Sequence, residues 1–233
     1  MSKEKTIEET YEMIYDHRAT QDAKMWKYPD AFHDVHENMR MELTKMLAGS
    51  TKGKRILDLG SSECGLLEYL QDFKEYIGID ISKIRLNKAI KKWKHISNIK
   101  LLHLNVEDST IRKLGTFDII FCLELLEHVL DPMKLLENIK CLSHKKTRIV
   151  ISVPDGNYIK PEGSVGHLRT FSPGVLIQIL YHCGFVPVKF KTFLGDREYL
   201  TTLVKIGKIE RGSKRLRLIG DMLAHIFMVV KLK

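Results

Sequence analysis

Five short apolar segments, separated by stretches with helical patterns, constrain the fold of this chain more than any other feature. The segments are Arg55–Leu59, Tyr76–Ile79, Ile99–Leu104, Phe117–Cys122 and Arg148–Val153. Strands that are apolar along their whole length are buried on both faces, and strands that alternate with helices form parallel sheets. The pattern therefore predicts an α/β fold of the Rossmann-like, doubly wound kind, with helices on both faces of a mostly parallel sheet.

The segments between and after these strands complete the prediction. Helices are expected at Leu66–Gln71, at Ser82–Trp93, at Pro132–Leu142 and from Ser172-Pro173 to Cys183-Gly184. A hydroxyl residue followed by proline is typical of a helix start, and glycine is typical of a helix end. Val186–Phe193 and Ile226–Val230 are expected to add two strands, which gives a seven-stranded sheet.

Residues 5–48 precede the first strand and carry apolar residues at helical spacing on both sides of Tyr28-Pro29-Asp30. We interpret them as two helices within an N-terminal helical cap that covers residues 1–50. Residues 51–233 then form the main domain, with a basic helical insertion at 200–223 before the last strand.

The composition is that of an ordinary globular protein. A chain of 233 residues with 44% hydrophobic and 29% charged residues is neither collagen-like nor disordered. The four cysteines form no CxxC pair, so we expect reduced thiols and no cysteine-based zinc or redox site. The N-terminal sequence has acidic residues where a secretory signal would be apolar, and no apolar stretch is long enough to span a membrane. A cytoplasmic protein is expected.

The turn after the first predicted strand, Gly60-Ser61-Ser62-Glu63-Cys64-Gly65, consists mainly of small residues. In parallel sheets such turns form ligand sites at the carboxyl ends of the strands. About 20 residues later the second strand ends in Asp80, which can accept hydrogen bonds from both hydroxyls of a ribose. This pair suits an adenosine. The absence of a GxGxxG motif and the presence of Glu63 argue against the pyrophosphate of a nicotinamide dinucleotide.

From about Lys54 to Lys189 the chain resembles the class I S-adenosylmethionine-dependent methyltransferases, in the branch that includes ubiquinone-biosynthesis-type O-methyltransferases. Matching motifs occur in the order that the family shows. They are Asp58 with Gly60, Asp80, Asn105–Asp108, Leu126–Pro132, Val153–Asn157 and His167–Pro173. The resemblance implies the family's fold, its methyl-transfer activity and its cofactor, S-adenosylmethionine.

The resemblance also implies a cofactor site built from these motifs and their neighbours. Its predicted residues are Asp58, Gly60, Ser61, Ser62, Gly65, Asp80, Ile81, Asn105, Val106, Glu107 and Leu123. Ser62 and Cys64 depart from the pattern, because the family has glycine at both positions. Asn105 replaces an acid that some relatives place against adenine. Glu107 or Asp108 takes over that role, or both are plain loop acids.

Glu124, Glu127 and His128 follow the fourth predicted strand and are expected to share one helix face. This ExxEH pattern resembles the divalent-metal site of some ubiquinone-type O-methyltransferases and of small-RNA 2′-O-methyltransferases, which implies Mg²⁺, Mn²⁺ or Zn²⁺. Three alternatives are open: a metal site, a role for His128 as catalytic base or substrate contact with Glu127 beside it, and structural support for the helix start. His167 either completes a ligand set, contacts substrate, or is a solvated loop histidine.

The favoured reaction is methylation of a hydroxyl group on a small, lipid-linked or saccharide acceptor. Methyl transfer from a sulfonium requires an aligned nucleophile and removal of its proton. Two other functions are open: a 2′-O-methyltransferase that acts on RNA, and a cofactor-binding partner protein without catalysis.

The net charge of +9 is concentrated near the C-terminus, where Val186–Lys233 contains eleven basic and four acidic residues. Residues 205–223 place basic side chains beside an apolar stripe at helical spacing, which suits peripheral contact with an anionic membrane. Alternatively, the stripe packs onto the sheet and the charges face water. Nucleic acid is the less favoured partner, because no additional RNA-binding module is found.

Overall fold

Seven strands form one sheet in the computed structural model, which describes residues 6–25, 30–156, 166–193 and 225–233. The strands are β1 (Arg55–Leu59), β2 (Glu75–Asp80), β3 (Ile99–His103), β4 (Phe117–Leu123), β5 (Ser143–Pro154), β6 (Phe185–Phe193) and β7 (His225–Leu232). The α-helices are α1 (Ile7–Met25), α2 (Asp30–Ala48), α3 (Lys83–Trp93), α4 (Pro132–Cys141) and α5 (Pro173–His182). Gly65–Glu68 and Ser109–Leu114 are short 3-10 helices.

The strand order is β3-β2-β1-β4-β5-β7-β6. Neighbouring strands from β3 to β5 are parallel, whereas β7 runs antiparallel to both β5 and β6. The order reverses between β1 and β4, because the chain builds outward from β1 in one direction and then continues from β4 in the other. Ligands of open α/β sheets bind in the crevice at such a reversal. The prediction of a doubly wound, mostly parallel seven-stranded sheet is confirmed.

Helices cover both faces of the sheet and bury two hydrophobic clusters. One cluster joins apolar side chains of the strands to α4 and α5, including Leu135, Ile139 and Leu176. The other joins the opposite face to α2 and α3, including Leu47 and Trp93. The second of the two predicted N-terminal helices therefore packs directly on the sheet. The division of the chain at residue 50 stays a prediction.

The helix boundaries follow the capping residues. Ser82 accepts a hydrogen bond from the Arg85 amide, Asp131 accepts from the amides of Met133 and Lys134, and Ser172 accepts from the Val175 amide. Each side chain satisfies amides that the first helical turn leaves without a partner. Pro132 and Pro173 begin α4 and α5, and Gly184 ends α5 at a φ of 87°. These starts and this end agree with the sequence prediction.

The predicted helix at Leu66–Gln71 is wrong beyond its first turn, because only Gly65–Glu68 is helical and it is a 3-10 helix. The following residues are bound to the segment before β1. The Thr51 hydroxyl donates to the Gln71 carbonyl at 2.6 Å, and the Gly53 amide donates to the Asp72 carbonyl at 2.8 Å. These bonds hold Gln71 and Asp72 in a loop, so the helix does not continue through them.

Two further predictions concern the cysteines and membrane-spanning segments. None of the four cysteines is paired in a disulfide; Cys141 is exposed and the other three are buried. Among the described helices, none combines the length and apolar composition needed to cross a bilayer. The predicted basic insertion at 200–223 lies outside the described residues.

Candidate active site

A pocket lies at the carboxyl ends of β1, β2, β3 and β4, where the strand order reverses. Seven predicted cofactor residues line it: Gly60, Ser62, Asp80, Ile81, Asn105, Val106 and Glu107. Glu124 and His128 from the segment after β4 line the same pocket. The fold therefore brings together motifs that are up to about seventy residues apart in sequence, at the edge where such sheets bind ligands.

Asp80 ends β2 with a carboxylate that is 8% exposed and positioned by two backbone amides. The Ser62 amide donates to Oδ2 at 2.8 Å, and the Ser82 amide donates to Oδ1 at 2.7 Å. Burial raises the pKa of Asp80, although both amides and the positive charge of Arg85 act in the opposite direction. Each carboxylate oxygen has capacity for a further hydrogen bond. Asp80 can thus accept from two adjacent hydroxyl groups of a ligand.

The turn after β1 reaches its conformation without the second and third glycines of the family pattern. Ser62 and Cys64 have φ values of 51° and 57°, in the left-handed region that glycine adopts most easily. Gly60 has a φ of 71°, and a Cβ at this position would lie 2.9 Å from a Leu125 methyl group. Ser62 and Cys64 therefore keep the backbone conformation that glycine would adopt, and the turn stays small enough for a ligand to approach it.

Four predicted cofactor residues do not line the pocket: Asp58, Ser61, Gly65 and Leu123. Asp58 instead accepts a 2.5 Å hydrogen bond from the Tyr76 hydroxyl in the buried layer below the turn. Burial raises the pKa of Asp58 to about 7, and the hydrogen bond from Tyr76 opposes this shift. Ser61 packs against Gly78 of β2, which leaves room for it. Asp58 and Ser61 therefore support the turn from below.

The acids after β3 have roles that the sequence left open. The Glu107 carboxylate accepts from the amides of Leu130 and Asp131 at 3.1 and 2.7 Å, so it joins two loops while it lines the pocket. Asp108 accepts from the Thr110 amide and begins the second 3-10 helix. Asn105 accepts from the Glu107 amide at 2.9 Å. Asp108 is therefore a loop acid, and Asn105 and Glu107 are the polar residues that line this end of the pocket.

The prediction that Glu124, Glu127 and His128 share one helix face is wrong. Glu124 has a φ of 49°, and the residues after it form turns that continue to the start of α4. The Glu124 amide donates to the Ser152 carbonyl, and the Ser152 hydroxyl donates to Glu124 Oε1 at 2.6 Å. This pairing with β5 holds Glu124 at the strand end, and Glu124 is not part of the cluster of possible ligands that includes Glu127 and His128.

His167 takes the place that Glu124 was predicted to fill. One ligand atom each from Glu127, His128 and His167 lies within 4.8 Å of the other two. The His128 and His167 rings are in an edge-to-face arrangement with centroids 4.7 Å apart. One buried carboxylate and two imidazoles form a donor set that suits a divalent cation.

The ring of His128 has a defined tautomer in its neutral form. Its Nδ1 lies 2.8 Å from the Gly166 carbonyl oxygen. Because a carbonyl can only accept, Nδ1 donates, and in the neutral ring Nε2 is the acceptor. Nε2 lies 3.8 Å from Glu127 Oε1, and Glu127 is fully buried. His128 can therefore take up a proton at Nε2 beside a carboxylate that stabilises the resulting charge.

Several residues near the site were not found from the sequence, among them Tyr15, Arg85 and Arg40. Tyr15 and Arg85 line the pocket, and Arg85 donates to the Ser62 hydroxyl at 2.7 Å. Arg40 of α2 pairs with both oxygens of Glu37. Burial disfavours its charge, but the carboxylates of Glu37, Glu124 and Glu127 outweigh this effect and raise the pKa of Arg40. No spacing in the sequence connects α1 or α2 with β4, so no sequence signal identifies Tyr15 or Arg40.

Known proteins share both the sequence pattern and the fold. A ubiquinone biosynthesis O-methyltransferase of Acinetobacter baylyi is 29% identical over 120 residues, which cover 49% of this chain and 50% of that protein. The chain thus spans about half the length of this relative.

Two solved structures share the fold at low sequence identity. One is the N-methyltransferase NodS from Bradyrhizobium japonicum in complex with S-adenosyl-L-homocysteine. Its TM-score is 0.67 at 16% identity, and the alignment covers 96% of this chain and 98% of the NodS chain. Magnesium protoporphyrin IX methyltransferase from Synechocystis, with bound S-adenosylmethionine, has a TM-score of 0.66 at 11% identity and covers both chains completely. These likenesses concern the fold alone.

Residues 31–189 match the family described as "Methyltransferase domain". The matched segment includes β1 to β5 and every predicted site residue. Since it covers more than half of the chain, the resemblance to S-adenosylmethionine-dependent methyltransferases is confirmed, and the protein belongs to the methyltransferase-domain family.

Proposed function

We propose that the protein transfers the methyl group of S-adenosylmethionine to a hydroxyl group of a small, lipid-linked or saccharide acceptor. One observation carries the proposal: the pocket of Asp80 is continuous with the ring of His128, whose Nε2 is the acceptor in its neutral form. A hydroxyl-binding acid and a candidate base thus face the same cavity.

The residues present fit the cofactor. Asp80 would hold the ribose hydroxyls, and Asn105, Val106 and Glu107 line the end of the pocket that would hold the adenine. The turn at Gly60 allows the close approach that the rest of the molecule needs. The bound cofactor supplies an activated methyl group on a sulfonium. The protein's own contribution is to align the acceptor and to remove its proton.

His128 is the best candidate for the base. Its Nδ1 is held by the Gly166 carbonyl, so a proton from the acceptor hydroxyl would go to Nε2. The buried Glu127 carboxylate, 3.8 Å from Nε2, would stabilise the imidazolium. This arrangement orients the neutral base and stabilises the charge that it gains with the proton, as general base catalysis requires.

The choice of oxygen as the accepting atom is supported by the comparison with a similar protein. The Acinetobacter baylyi relative is named an O-methyltransferase of ubiquinone biosynthesis, and its likeness covers half of each chain. Peripheral contact with a membrane through residues 200–223 remains a prediction for residues that the structure does not describe.

A divalent cation is a second candidate for activating the acceptor hydroxyl, which is the role proposed above for His128. The cluster of Glu127, His128 and His167 offers three donors close to one another, and this replaces the set with Glu124 that the sequence predicted. Mg²⁺, Mn²⁺ or Zn²⁺ at these residues would lower the pKa of an acceptor hydroxyl. His128 would then be a ligand, and its Nε2 would not take up the proton.

Transfer of a labelled methyl group tests the proposed function. Purified protein would be incubated with S-adenosylmethionine that carries a deuterated methyl group and with separate small-molecule, lipid and RNA fractions of a cell extract. Mass spectrometry should find label in the small-molecule or lipid fraction. Label in the RNA fraction would support the RNA alternative. Cofactor binding without label in any fraction would support a partner protein that lacks catalysis.

A further inference from the structure

The first helix, α1, lies outside residues 31–189 that match the family, yet it is attached to the cofactor pocket. Asp16 accepts from the Ser82 hydroxyl at 2.6 Å and from the Ile84 amide at 3.1 Å, at the start of α3. Glu12 lies 3.2 Å from His103 Nε2 at the end of β3. These contacts hold α1 against two elements that border the pocket.

Tyr15 is the residue that this attachment places in the pocket. Its ring lines the same cavity as Asp80 and Gly60. It also lies perpendicular to the His128 ring, with centroids 5.9 Å apart and an interplanar angle of 87°. Tyr15 is therefore beside His128, at the end of the pocket where the methyl group must be passed to the acceptor.

We propose that Tyr15 is a cofactor-positioning residue whose ring contacts the positively charged, methyl-bearing end of S-adenosylmethionine. The inference rests on the proposed function, because that function puts the ribose at Asp80 and the sulfonium near His128. The face of an aromatic ring attracts a cation, and the attraction is stronger when water is excluded. Tyr15 lines the pocket and is partly buried, so its ring is partly shielded from water.

The charge of the cofactor separates this role from simple packing. S-adenosylmethionine carries a sulfonium, whereas its product, S-adenosylhomocysteine, has a neutral thioether and the same adenosine and amino-acid groups. A ring that recognises the cation favours the substrate form over the product form. A ring that only fills space or holds α1 affects both forms alike.

The test measures dissociation constants of S-adenosylmethionine and S-adenosylhomocysteine by calorimetry for four variants. Tyr15→Leu removes the ring, and Tyr15→Phe keeps it. His17→Ala removes an exposed ring from the same helix and serves as a matched control. Asp16→Ala removes the attachment of α1 to α3 and so tests whether the effect of the Tyr15 ring depends on that attachment. Helix content of each variant is checked by circular dichroism.

We expect Tyr15→Leu to weaken S-adenosylmethionine binding by about tenfold and S-adenosylhomocysteine binding far less. Tyr15→Phe and His17→Ala should keep the wild-type ratio of the two affinities. Asp16→Ala loosens the attachment that places the ring, so it should change the ratio in the same direction as Tyr15→Leu. An unchanged ratio in Tyr15→Leu, with or without a loss of affinity, would overturn the inference and leave the proposed function intact. Wild-type protein that binds neither ligand would overturn the proposed function itself.

Discussion

The hydroxyl of Tyr76 donates a 2.5 Å hydrogen bond to the carboxylate of Asp58, and both side chains are buried below the turn that lines the pocket. Burial raises the pKa of Asp58 to about 7. A neutral Asp58 needs no counter-ion in this layer, whereas an ionised one is costly to bury. The pair therefore makes the stability of the fold sensitive to pH near neutrality.

The first prediction concerns this pH dependence. Asp58 has a reference pKa of 3.8 and a pKa of about 7 in the fold, so the folded protein binds the extra proton between these values. Stability from this group is therefore present below about pH 4 and is lost as the pH rises to about 7, at about 1.4 kcal/mol per unit of pKa difference. Asp58→Asn should remove this loss. Urea unfolding at pH 5 and pH 8 measures the free energy of unfolding of the wild type and of Asp58→Asn. The same change between the two pH values in both proteins would contradict the raised pKa of Asp58.

The second prediction concerns the contact between Gly78 of β2 and Ser61 of the turn. A Cβ at residue 78 would lie 2.8 Å from Ser61 Oγ and 3.0 Å from Leu101 Cδ2. Gly78→Ala should therefore destabilise the fold by about 1 to 3 kcal/mol and weaken cofactor binding through the displaced turn.

Gly174→Ala is the matched control for this substitution, because a Cβ there meets no atom within 4 Å at the start of α5. It should be neutral or stabilise the protein by up to about 1 kcal/mol. Equal unfolding free energies for the two alanine variants would show that the turn does not depend on Gly78.

The third prediction concerns His128. His128→Gln should lower the rate of methyl transfer by about 10² to 10⁴, because glutamine cannot take up the proton. Affinity for S-adenosylmethionine should stay close to that of the wild type, since Asp80 supplies the main polar contact. His182→Gln, on the exposed side of α5, is the control. A His128→Gln enzyme with the wild-type rate would exclude the residue as the base.

The fourth prediction distinguishes the base from the cation site. If Glu127, His128 and His167 hold a required ion, a chelator should abolish transfer and Mg²⁺, Mn²⁺ or Zn²⁺ should restore it. His167→Gln should then raise the metal concentration needed for half-maximal activity. Full activity in the presence of chelator would remove the cation hypothesis and leave His128 as the base.

The parts of the fold that the sequence predicts are those determined by local patterns. The buried strands β1, β2 and β4 are apolar along most of their length. Ser82 and Ser172 satisfy the amides of their own helix starts. Asp80 is predictable because it ends a strand of a parallel sheet, and the carboxyl ends of such strands form the binding site. Each of these features depends on a few neighbouring residues.

The parts that the sequence does not predict depend on distant contacts. Glu124 leaves the helical pattern because its amide and carboxylate pair with Ser152 of β5. His167 is named by the sequence only as one possible ligand, and nothing in the sequence places it beside Glu127 and His128 instead of Glu124. Tyr15 reaches the pocket through the attachment of Asp16 to α3, some 66 residues further along the chain. None of these contacts leaves a periodic or spaced signal.

The most direct test of the account is the affinity of S-adenosylmethionine for Asp80→Asn, measured by calorimetry. Each hydrogen bond from a ribose hydroxyl to this carboxylate is worth about 1.5 to 3 kcal/mol, so the loss of the charge should weaken binding by at least about tenfold. Asp72→Asn, at an exposed left-handed position that asparagine tolerates, should bind as the wild type does. Wild-type affinity in a folded Asp80→Asn protein would contradict the assignment of the pocket as the cofactor site.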